Sequence, residues 1–379
     1  MIQWTEEQCK LRDSFRVWHK EFSEGHLADD QDSRFSPERW ARVRDSGLLR
    51  LPFDPAWGGL GHNLLTTMCV LEDLGYGCRD AGLLFSISTH IVSTGIPIQR
   101  FGSDDLKARY LKRICSGEVI GAHAISEPNA GSDSMSMESS ATEDGDDYVL
   151  NGTKSYISNG PVADVFVVYA RSDPDSTFQG ITAIILDRGT SGFTIGEPIV
   201  KMGLKTSPFC QLSFDGCRVP KTNVVGRAGS GFLILEYVLV WEILSLFIMW
   251  VGGMQHRFER CVEFANNRRQ FGHKIGTYQS IADKIVDMKV GVESSRKWLY
   301  DTAEQYAGGS NVTTSLAIAK MIASEANVSS AMTAVQLFGG RGYLAEYGLE
   351  KDLRDAIGGT IYSGSTEMQQ RRIAKMIGL

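Results

Sequence analysis

A single carboxylate, Glu242, lies in the middle of an apolar run, VLVWEILSLFIMW, that extends from Val238 to Trp250. Burying an ionised carboxylate without a partner is costly, so the group must shift towards its neutral form, reach solvent, or be kept as a base. A carboxylate in a dry pocket has a raised pKa and is suited to removing a proton from a carbon acid. A snorkelling or capped carboxylate is the structural alternative.

The residues that follow Glu242 at helical spacing have small or flexible side chains. Ser245, Met249 and Gly252 stand at i+3, i+7 and i+10, on one face of a helix. We interpret this stripe as room for a ligand, whereas Glu236 points elsewhere.

Four other segments carry side chains that could bind a ligand. The segment AISEPNAGSD is rich in hydroxyl and acidic side chains, and NGTKSYISNG places the aromatic Tyr156 two residues before the hydroxyl of Ser158. The segment NNRRQFG has two adjacent arginines beside an aromatic residue. The fourth, from Gln336 to Gln370, has two clusters of glycine and small hydroxyl residues, where a backbone can approach a ligand closely. A capped turn, a hairpin and a solvated helix end are the structural alternatives for the first three segments.

Composition excludes several classes of function. The chain has 379 residues and a formal net charge of -6, which gives no attraction for nucleic acid or an anionic membrane. Seven scattered cysteines without a C-x-x-C pair predict reduced thiols in a cytoplasm and no metal site. Residues 232–254 are long enough to span a membrane, but two acidic residues within them favour a buried core helix over a membrane anchor.

The patterning divides the chain into three parts. Residues 1–120 have helical periodicity, with Ser36 as a predicted N-cap and Pro37 at the first helical position. Residues 121–229 are short β-rich runs broken by turn residues, and residues 230–379 return to long helical segments. We therefore predict a helical domain, a β domain and a helical bundle.

The order of the motifs is similar to that of the acyl-CoA dehydrogenase family over nearly the whole chain. The matching segments are EPNAGSD, NGTKSYISNG, RRQFG, and FGGRGY followed by LRDAIGGTIYSGSTEMQ. The resemblance implies an α+β multidomain fold with an N-terminal helical domain, a central β-barrel-like domain and a C-terminal four-helix bundle. It also implies a homotetramer with FAD bound at the domain junction.

The resemblance assigns roles to the residues that match the family's motifs. It implies that Ser126 donates to the flavin, that Ser158 lies near N5, and that Tyr156 packs on the isoalloxazine. It implies an FAD diphosphate and adenosine held across a subunit interface by Arg268, Phe271, Gln336 and Gly340. Further contacts with FAD are implied for Ser365 and Glu367, and contacts with the substrate for Ser132 in the pantetheine channel and for the backbone N–H of Ser363.

The catalytic base is not where many relatives of this family carry it. Their Tyr-Glu-Gly-Thr reads Tyr362, Ser363, Gly364, Ser365 here, and a serine hydroxyl is too weak a base for a carbon acid. Glu242 matches the helix position from which isovaleryl-CoA and long-chain members supply the base. The resemblance thus implies that Glu242 takes the Cα proton of an acyl thioester while hydride passes from Cβ to the flavin. A catalytically inactive relative is the alternative.

Two positions beside Glu242 differ from those of relatives that act on an ordinary acyl-CoA. Most relatives have Arg directly after the base and Asp or Asn two residues before it, where this chain has Ile243 and Val240. The sequence resembles the branch that oxidises aminoacyl groups, such as prolyl, tethered to a carrier protein by phosphopantetheine. A short or branched-chain acyl-CoA is the alternative, and the electron acceptor is a flavoprotein or oxygen. His90 and His123 could line the acyl pocket, with a structural role as the alternative for each.

Overall fold

The first third of the chain is helical in the computed structural model, which describes residues 3–176 and 179–379. Ser36 accepts a hydrogen bond from the backbone N–H of Arg39 and Pro37 opens the helix, which confirms the predicted N-cap. The helices are α1 (Glu6–Ser14), α2 (His19–Ser23), α3 (His26–Gln31), α4 (Pro37–Ser46), α5 (Leu64–Gly77), α6 (Ala81–Ser88), α7 (Ile96–Phe101) and α8 (Asp104–Ser116).

A π-helical turn joins α6 to α7. This segment, Thr89–Gly95, is called the π turn below, and all seven of its residues are buried. The wider i to i+5 spacing changes the direction in which its side chains point, and such turns recur at functional sites. The π turn packs between the first strand of the β domain and the longest helix of the chain.

The middle of the chain forms one sheet. Its strands are β1 (Gly121–Ala124), β2 (Ser140–Asp144), β3 (Asp147–Ser158), β4 (Val165–Arg171), β5 (Ile181–Asp187), β6 (Phe193–Ile195), β7 (Phe209–Pro220) and β8 (Val224–Val225). The strand order is β6-β7-β3-β2-β4-β5-β8, and β1 pairs with β4 in parallel. Alternate residues face opposite sides: Phe166 and Val168 fill the core of the β domain, whereas Val167 and Tyr169 join the core shared with the helices.

Long helices return after the sheet. They are α9 (Gly231–Asn267), α10 (Gln279–Ala307), α11 (Thr313–Phe338), α12 (Leu349–Gly358) and α13 (Thr366–Met376), with a two-stranded hairpin of β9 (Arg269–Gln270) and β10 (His273–Lys274) after α9. At 1.5 Å per residue, α9 is roughly 55 Å long. It contacts α5, α10 and α11, and α12 and α13 pack against α11.

Two glycines allow α5 and α9 to approach closely. A Cβ at Gly75 would lie 1.9 Å from the carbonyl oxygen of Met249, and a Cβ at Gly252 would lie 2.0 Å from that of Glu72. The interpretation of Gly252 as room for a ligand is therefore wrong, because the space is taken by the backbone of α5. The spacing identified a face of the helix correctly but could not tell a ligand from a neighbouring helix.

Two stretches, Ala81–Phe101 and Gly231–Asn267, are long and apolar enough to cross a membrane by length and composition. In the folded chain 89% of the most apolar window of the first and 61% of that of the second is buried against protein. The contacts of α9 with three other helices are those of a core helix, as its two acidic residues suggested.

Candidate active site

Two hydroxyls from distant parts of the chain hold the carboxylate of Glu242. Ser93 of the π turn donates to Oε2 at 3.0 Å, and the Ser363 hydroxyl donates to Oε1 over a short distance. Burial raises the pKa of Glu242, and the hydrogen bonds from Ser363 and Ser93 lower it only in part. We call Ser93, Glu242 and Ser363 the inner site. A raised pKa strengthens a carboxylate as a proton acceptor near neutral pH.

The loop that carries Ser363 is held in an unusual backbone conformation. Ser363 has φ 54° and Gly364 has φ 80°, and the side-chain amide of Gln369 donates to both of their carbonyl oxygens, at 3.0 and 3.1 Å. A non-glycine residue at positive φ is strained and is kept where the surroundings determine it. Within residues 3–176 and 179–379 the backbone N–H of Ser363 makes no hydrogen bond, so it remains available to a ligand beside Glu242.

An aromatic layer closes one side of this loop. The Tyr362 hydroxyl accepts a hydrogen bond from the indole N–H of Trp250 at 2.8 Å. Its ring lies 4.9 Å from that of Phe85 and 6.0 Å from that of Phe247, measured between centroids. These rings exclude water from the region next to the inner site, which strengthens electrostatic interactions there.

The loop that carries Ser126 is fixed by a buried ion pair. Lys154 donates to Glu127 at 2.7 Å and to the carbonyl oxygen of Ile125 at 3.0 Å. Burial alone would raise the pKa of Glu127, but Lys154 and the backbone N–H groups of Glu138 and Ser139 hold it below its usual value. The loop is thus built as a rigid support for Ser126.

Tyr156 and Ser158 lie at an irregular end of β3. Tyr156 has φ 61° at a register shift between Lys154 and Ile157, and its ring is 60% exposed. It stacks on Phe209 at 6.0 Å with an interplanar angle of 28°. The Ser126 carbonyl accepts from the backbone N–H of Ser155, which places Ser126 beside Tyr156. β-Bulges of this kind redirect a side chain next to functional sites.

The end of β3 is connected to the inner site. The Asn159 side chain donates to the carbonyl oxygen of Ser86 at 3.0 Å, directly after Phe85, which packs on Tyr362. A short path therefore leads from Ser158 through α6 to the loop of Ser363. The structure brings Ser126, Tyr156 and Ser158 to the same region as Glu242.

A second group of predicted residues lies at the other end of α9. Phe271 and Gly272 form the two-residue turn between β9 and β10, with φ 50° and 83°, and the Phe271 side chain is 92% exposed. Arg268 is also exposed. Positive φ at both turn positions suits a tight hairpin, but phenylalanine is a costly choice there.

Gln336 and Gly340 lie at the end of α11 that packs against the end of α9. Phe264 of α9 stacks on Phe338 of α11 at 4.0 Å, which holds the ends of the two helices together. Gln336 is exposed, and nothing lies within 4 Å of a Cβ built at Gly340. We call Arg268, Phe271, Gln336 and Gly340 the outer cluster. Because 26 residues of helix separate Glu242 from Arg268, about 40 Å lies between the inner site and the outer cluster of one chain.

Ser365 and Glu367 belong to the inner end of the molecule. Ser365, two residues after Ser363, caps α13: its hydroxyl accepts a hydrogen bond from the backbone N–H of Met368 at 3.4 Å. Glu367 is exposed in the first turn of α13, and Ser132 is exposed in the loop after β1. Their roles as contacts of FAD and of pantetheine stay predictions.

Sequence reasoning missed several residues of this region. Ser93 was not singled out, because no motif marks a π turn and its segment reads as an ordinary buried helix. The Tyr362–Trp250 contact was missed because it joins segments 112 positions apart. Gln369 is only six positions from Ser363, but no sequence pattern marks a side chain that bonds the carbonyl oxygens of its own loop. His90 proves structural, since it bonds the Ile114 carbonyl at 2.9 Å and the Gly121 N–H at 3.1 Å.

Comparison with known proteins extends these observations to the whole chain. Three family models match in succession: the acyl-CoA dehydrogenase N-terminal domain at residues 5–118, the middle domain at 122–217 and the C-terminal domain at 229–378. The chain is 36% identical over 357 residues to the L-prolyl-peptidyl-carrier protein dehydrogenase of Serratia sp., covering 92% of each protein.

Solved structures agree with this match. The prolyl acyl carrier protein oxidase AnaB superposes with a TM-score of 0.97 at 34% identity and covers all of both chains. PigA with FAD and proline superposes with a TM-score of 0.97 at 33% identity, covering 100% of this chain and 99% of PigA. These matches confirm the predicted fold class, with its N-terminal helical, central β-barrel-like and C-terminal bundle parts.

Proposed function

Because the chain belongs to the acyl-CoA dehydrogenase family, we propose that it is an FAD-dependent dehydrogenase of an aminoacyl thioester, prolyl, tethered to a carrier protein by phosphopantetheine. One observation carries the proposal: the helix carboxylate Glu242 meets Ser363, the residue at the position where many relatives carry their base. This carboxylate supports an active enzyme over an inactive relative, because it could act as the base that the loop position lacks.

The residues that surround the inner site fit FAD. The exposed ring of Tyr156 on Phe209 offers a flat surface beside Ser126 and Ser158. Next to Ser365, the hydroxyl of Thr366 is buried without a hydrogen-bond partner in the described part of the chain. Bound FAD would supply the oxidising power by accepting the hydride that leaves Cβ.

The protein's own groups then act on the substrate. Glu242 takes the Cα proton, and its raised pKa makes it a stronger acceptor than an exposed carboxylate. The unpaired backbone N–H of Ser363 is placed to donate to the thioester carbonyl and stabilise the charge that develops there. The aromatic layer around Tyr362 keeps water away from the reacting carbon.

The carrier-tethered substrate is supported by what the chain lacks. Ile243 is fully buried in the main core and Val240 is partly buried, so neither position offers a charge to CoA. The Serratia dehydrogenase and the oxidase AnaB are both named for a prolyl group carried by a carrier protein. Their substrate is the one we assign to this chain.

The assembly and the electron acceptor complete the proposal. A single FAD cannot span about 40 Å of α9, so the outer cluster of one chain is suited to serve the inner site of another, as in a homotetramer. Electrons leave to a partner flavoprotein or to oxygen. The seven cysteines, all unpaired in the structure, support a reducing compartment such as the cytoplasm.

The test is an anaerobic titration of the purified flavoprotein, followed by flavin absorbance. Prolyl-loaded carrier protein is compared with short acyl-CoAs and with the unloaded carrier. We expect bleaching by the prolyl-loaded carrier alone. Bleaching by an acyl-CoA instead would assign the chain to ordinary short or branched-chain acyl oxidation, and no bleaching by any thioester would support an inactive relative.

A further inference from the structure

A pair formed by a half-buried histidine and a buried tyrosine lies on the face of the sheet that meets the helices. His123 is in β1 and Tyr169 is in β4, and the imidazole Nε2 lies 3.1 Å from the tyrosine hydroxyl with the rings perpendicular. Ala122 and Ala124, on either side of His123, face the core of the β domain. His123 therefore projects to the opposite face, where Tyr169 joins the core shared with α9.

This pair lies close to the inner site. Ser93 of the π turn donates to Glu242, and the next residue, Thr94, packs against Gly121 so closely that a Cβ there would be 2.6 Å from it. Gly121 stands two positions before His123 in β1. This strand is therefore adjacent to the π turn, whose Ser93 donates to Glu242. Burial raises the pKa of the Tyr169 hydroxyl, and the negative charge of Glu242 raises it further.

The pair keeps one hydrogen-bonding group unused. Within residues 3–176 and 179–379, His123 Nδ1 makes no hydrogen bond, in contrast to His90, both of whose ring nitrogens are bonded. Burial lowers the pKa of His123 to about 3, so the ring is neutral. A neutral imidazole bonded through Nε2 offers Nδ1 as an acceptor or a donor, depending on the tautomer.

An apolar acyl chain would leave that nitrogen without a partner, at the cost of an unmade buried hydrogen bond. A prolyl group differs from a carbocyclic acyl group by a secondary amine attached to Cα. In its neutral form that amine both donates and accepts, so it satisfies either tautomer of His123. In its protonated form it donates to Nδ1 of the tautomer whose Nε2–H faces the Tyr169 hydroxyl. Because Glu242 must contact the Cα proton, the amine of the same carbon lies beside the inner site, where the pair projects.

We propose that His123, oriented by Tyr169, binds the α-amine of the aminoacyl substrate and determines the preference for it over carbocyclic acyl groups. The inference rests on the proposed function and adds the group that recognises the substrate nitrogen. Tyr169 is a positioning residue, since it acts through His123.

The experiment compares two small thioesters that differ in one ring atom. L-Prolyl-pantetheine and cyclopentanecarbonyl-pantetheine are each mixed anaerobically with the FAD-loaded enzyme, and kcat/KM for flavin reduction is measured. For His123→Phe we expect kcat/KM with the prolyl thioester to fall about 10-fold to 100-fold, and that with the cyclopentanecarbonyl thioester to stay within about 3-fold. An equal fall with both would assign His123 a structural role and overturn the proposal.

Two further variants separate recognition from packing. His123→Asn keeps a hydrogen-bonding group near the position of Nδ1, so we expect it to restore part of the preference for the prolyl thioester. Tyr169→Phe removes only a hydroxyl, and we expect a smaller loss that is again confined to the prolyl substrate. A prolyl preference unchanged in both His123→Phe and Tyr169→Phe would overturn the proposal.

The wild-type enzyme distinguishes this inference from the proposed function. If it reduces flavin with the prolyl thioester and His123→Phe keeps the same preference, only the role of His123 is wrong. If the wild-type enzyme uses the cyclopentanecarbonyl thioester but not the prolyl thioester, the proposed substrate and the role of His123 both fail.

Discussion

The two ends of α9 differ in how their polar and aromatic groups are satisfied. At the inner site, two hydroxyls of the same chain bond the Glu242 carboxylate. In the outer cluster, Phe271 is 92% exposed and Gly340 faces open space. The carboxylate of Glu242 is therefore satisfied within one chain, whereas the residues predicted to hold the cofactor are exposed in that chain.

The largest effect is expected from removing the base at the inner end. Glu242→Gln keeps the size of the side chain and one acceptor oxygen, and the serine hydroxyl that meets the new amide N–H can accept instead of donate. The amide cannot take a proton. We expect the rate of flavin reduction by substrate to fall by about 10³-fold or more, with FAD binding unchanged. Rapid-mixing absorbance under anaerobic conditions measures the rate. Unimpaired reduction in this variant would show that the base lies elsewhere.

The next effect concerns the outer end. Arg268→Ala removes a charged donor from the outer cluster, and we expect FAD affinity to weaken about 10-fold to 100-fold. Fluorescence titration of the apoprotein measures the affinity, and light scattering reports the oligomeric state. Arg269→Ala is the matched control, since Arg269 is the neighbouring exposed arginine, donates to the Gly272 carbonyl within the hairpin, and is assigned no contact with FAD by the family resemblance. Equal affinities for both variants would remove the outer cluster from the cofactor site.

A smaller effect tests the support of the base. Ser93→Ala removes a hydrogen bond that lowers the pKa of Glu242, so that pKa rises further. We expect the acid limb of the pH profile of kcat/KM to move to higher pH, and the rate at neutral pH to fall about 10-fold. Ser88→Ala is the control, because Ser88 is buried nearby on α6 with no hydrogen-bond partner in the described residues. The same shift in both would contradict a specific role for Ser93.

The smallest effect is on stability. The folded-state pKa of Glu242 is raised, so the folded protein binds more protons than the unfolded chain as pH rises above the unfolded value. The carboxylate thus costs stability at neutral pH and nothing well below its unfolded pKa. We expect Glu242→Gln to raise the melting temperature by about 2–4 °C at pH 7.5, with the difference shrinking towards pH 4, at equal FAD saturation. No pH dependence of the difference would contradict the raised pKa.

The sequence predicted the inner site and the outer cluster unequally. An isolated charge in an apolar helix drew attention to Glu242, and the resemblance to relatives whose base lies at this helix position selected it as the base, a role that stays a prediction. The partner Ser93 was out of reach, since a π turn has no sequence signature and the contact spans 149 positions. For Phe271 the motif gave the residue but not its positive φ or its exposure, which are set by the hairpin.

Packing between distant helices was the other limit. The stripe that includes Gly252 was read from helical spacing, which shows the face but not what covers it. The covering group is the backbone of α5, held there by a second glycine at position 75. Predicting such a contact requires knowing that α5 and α9 pack against each other, which neither segment shows alone.

The meeting of Glu242 and Ser363 has a consequence for how such enzymes can diverge. Residues 121 positions apart reach the same point, so an acid at either position would contact the same substrate carbon. An ancestor carrying both acids would have kept one of them ionised, because two adjacent carboxylates share a single proton. The role of catalytic base could thus move from position 363 in the loop to position 242 in the helix through proteins that all stay active. Position 363 would afterwards be free to change.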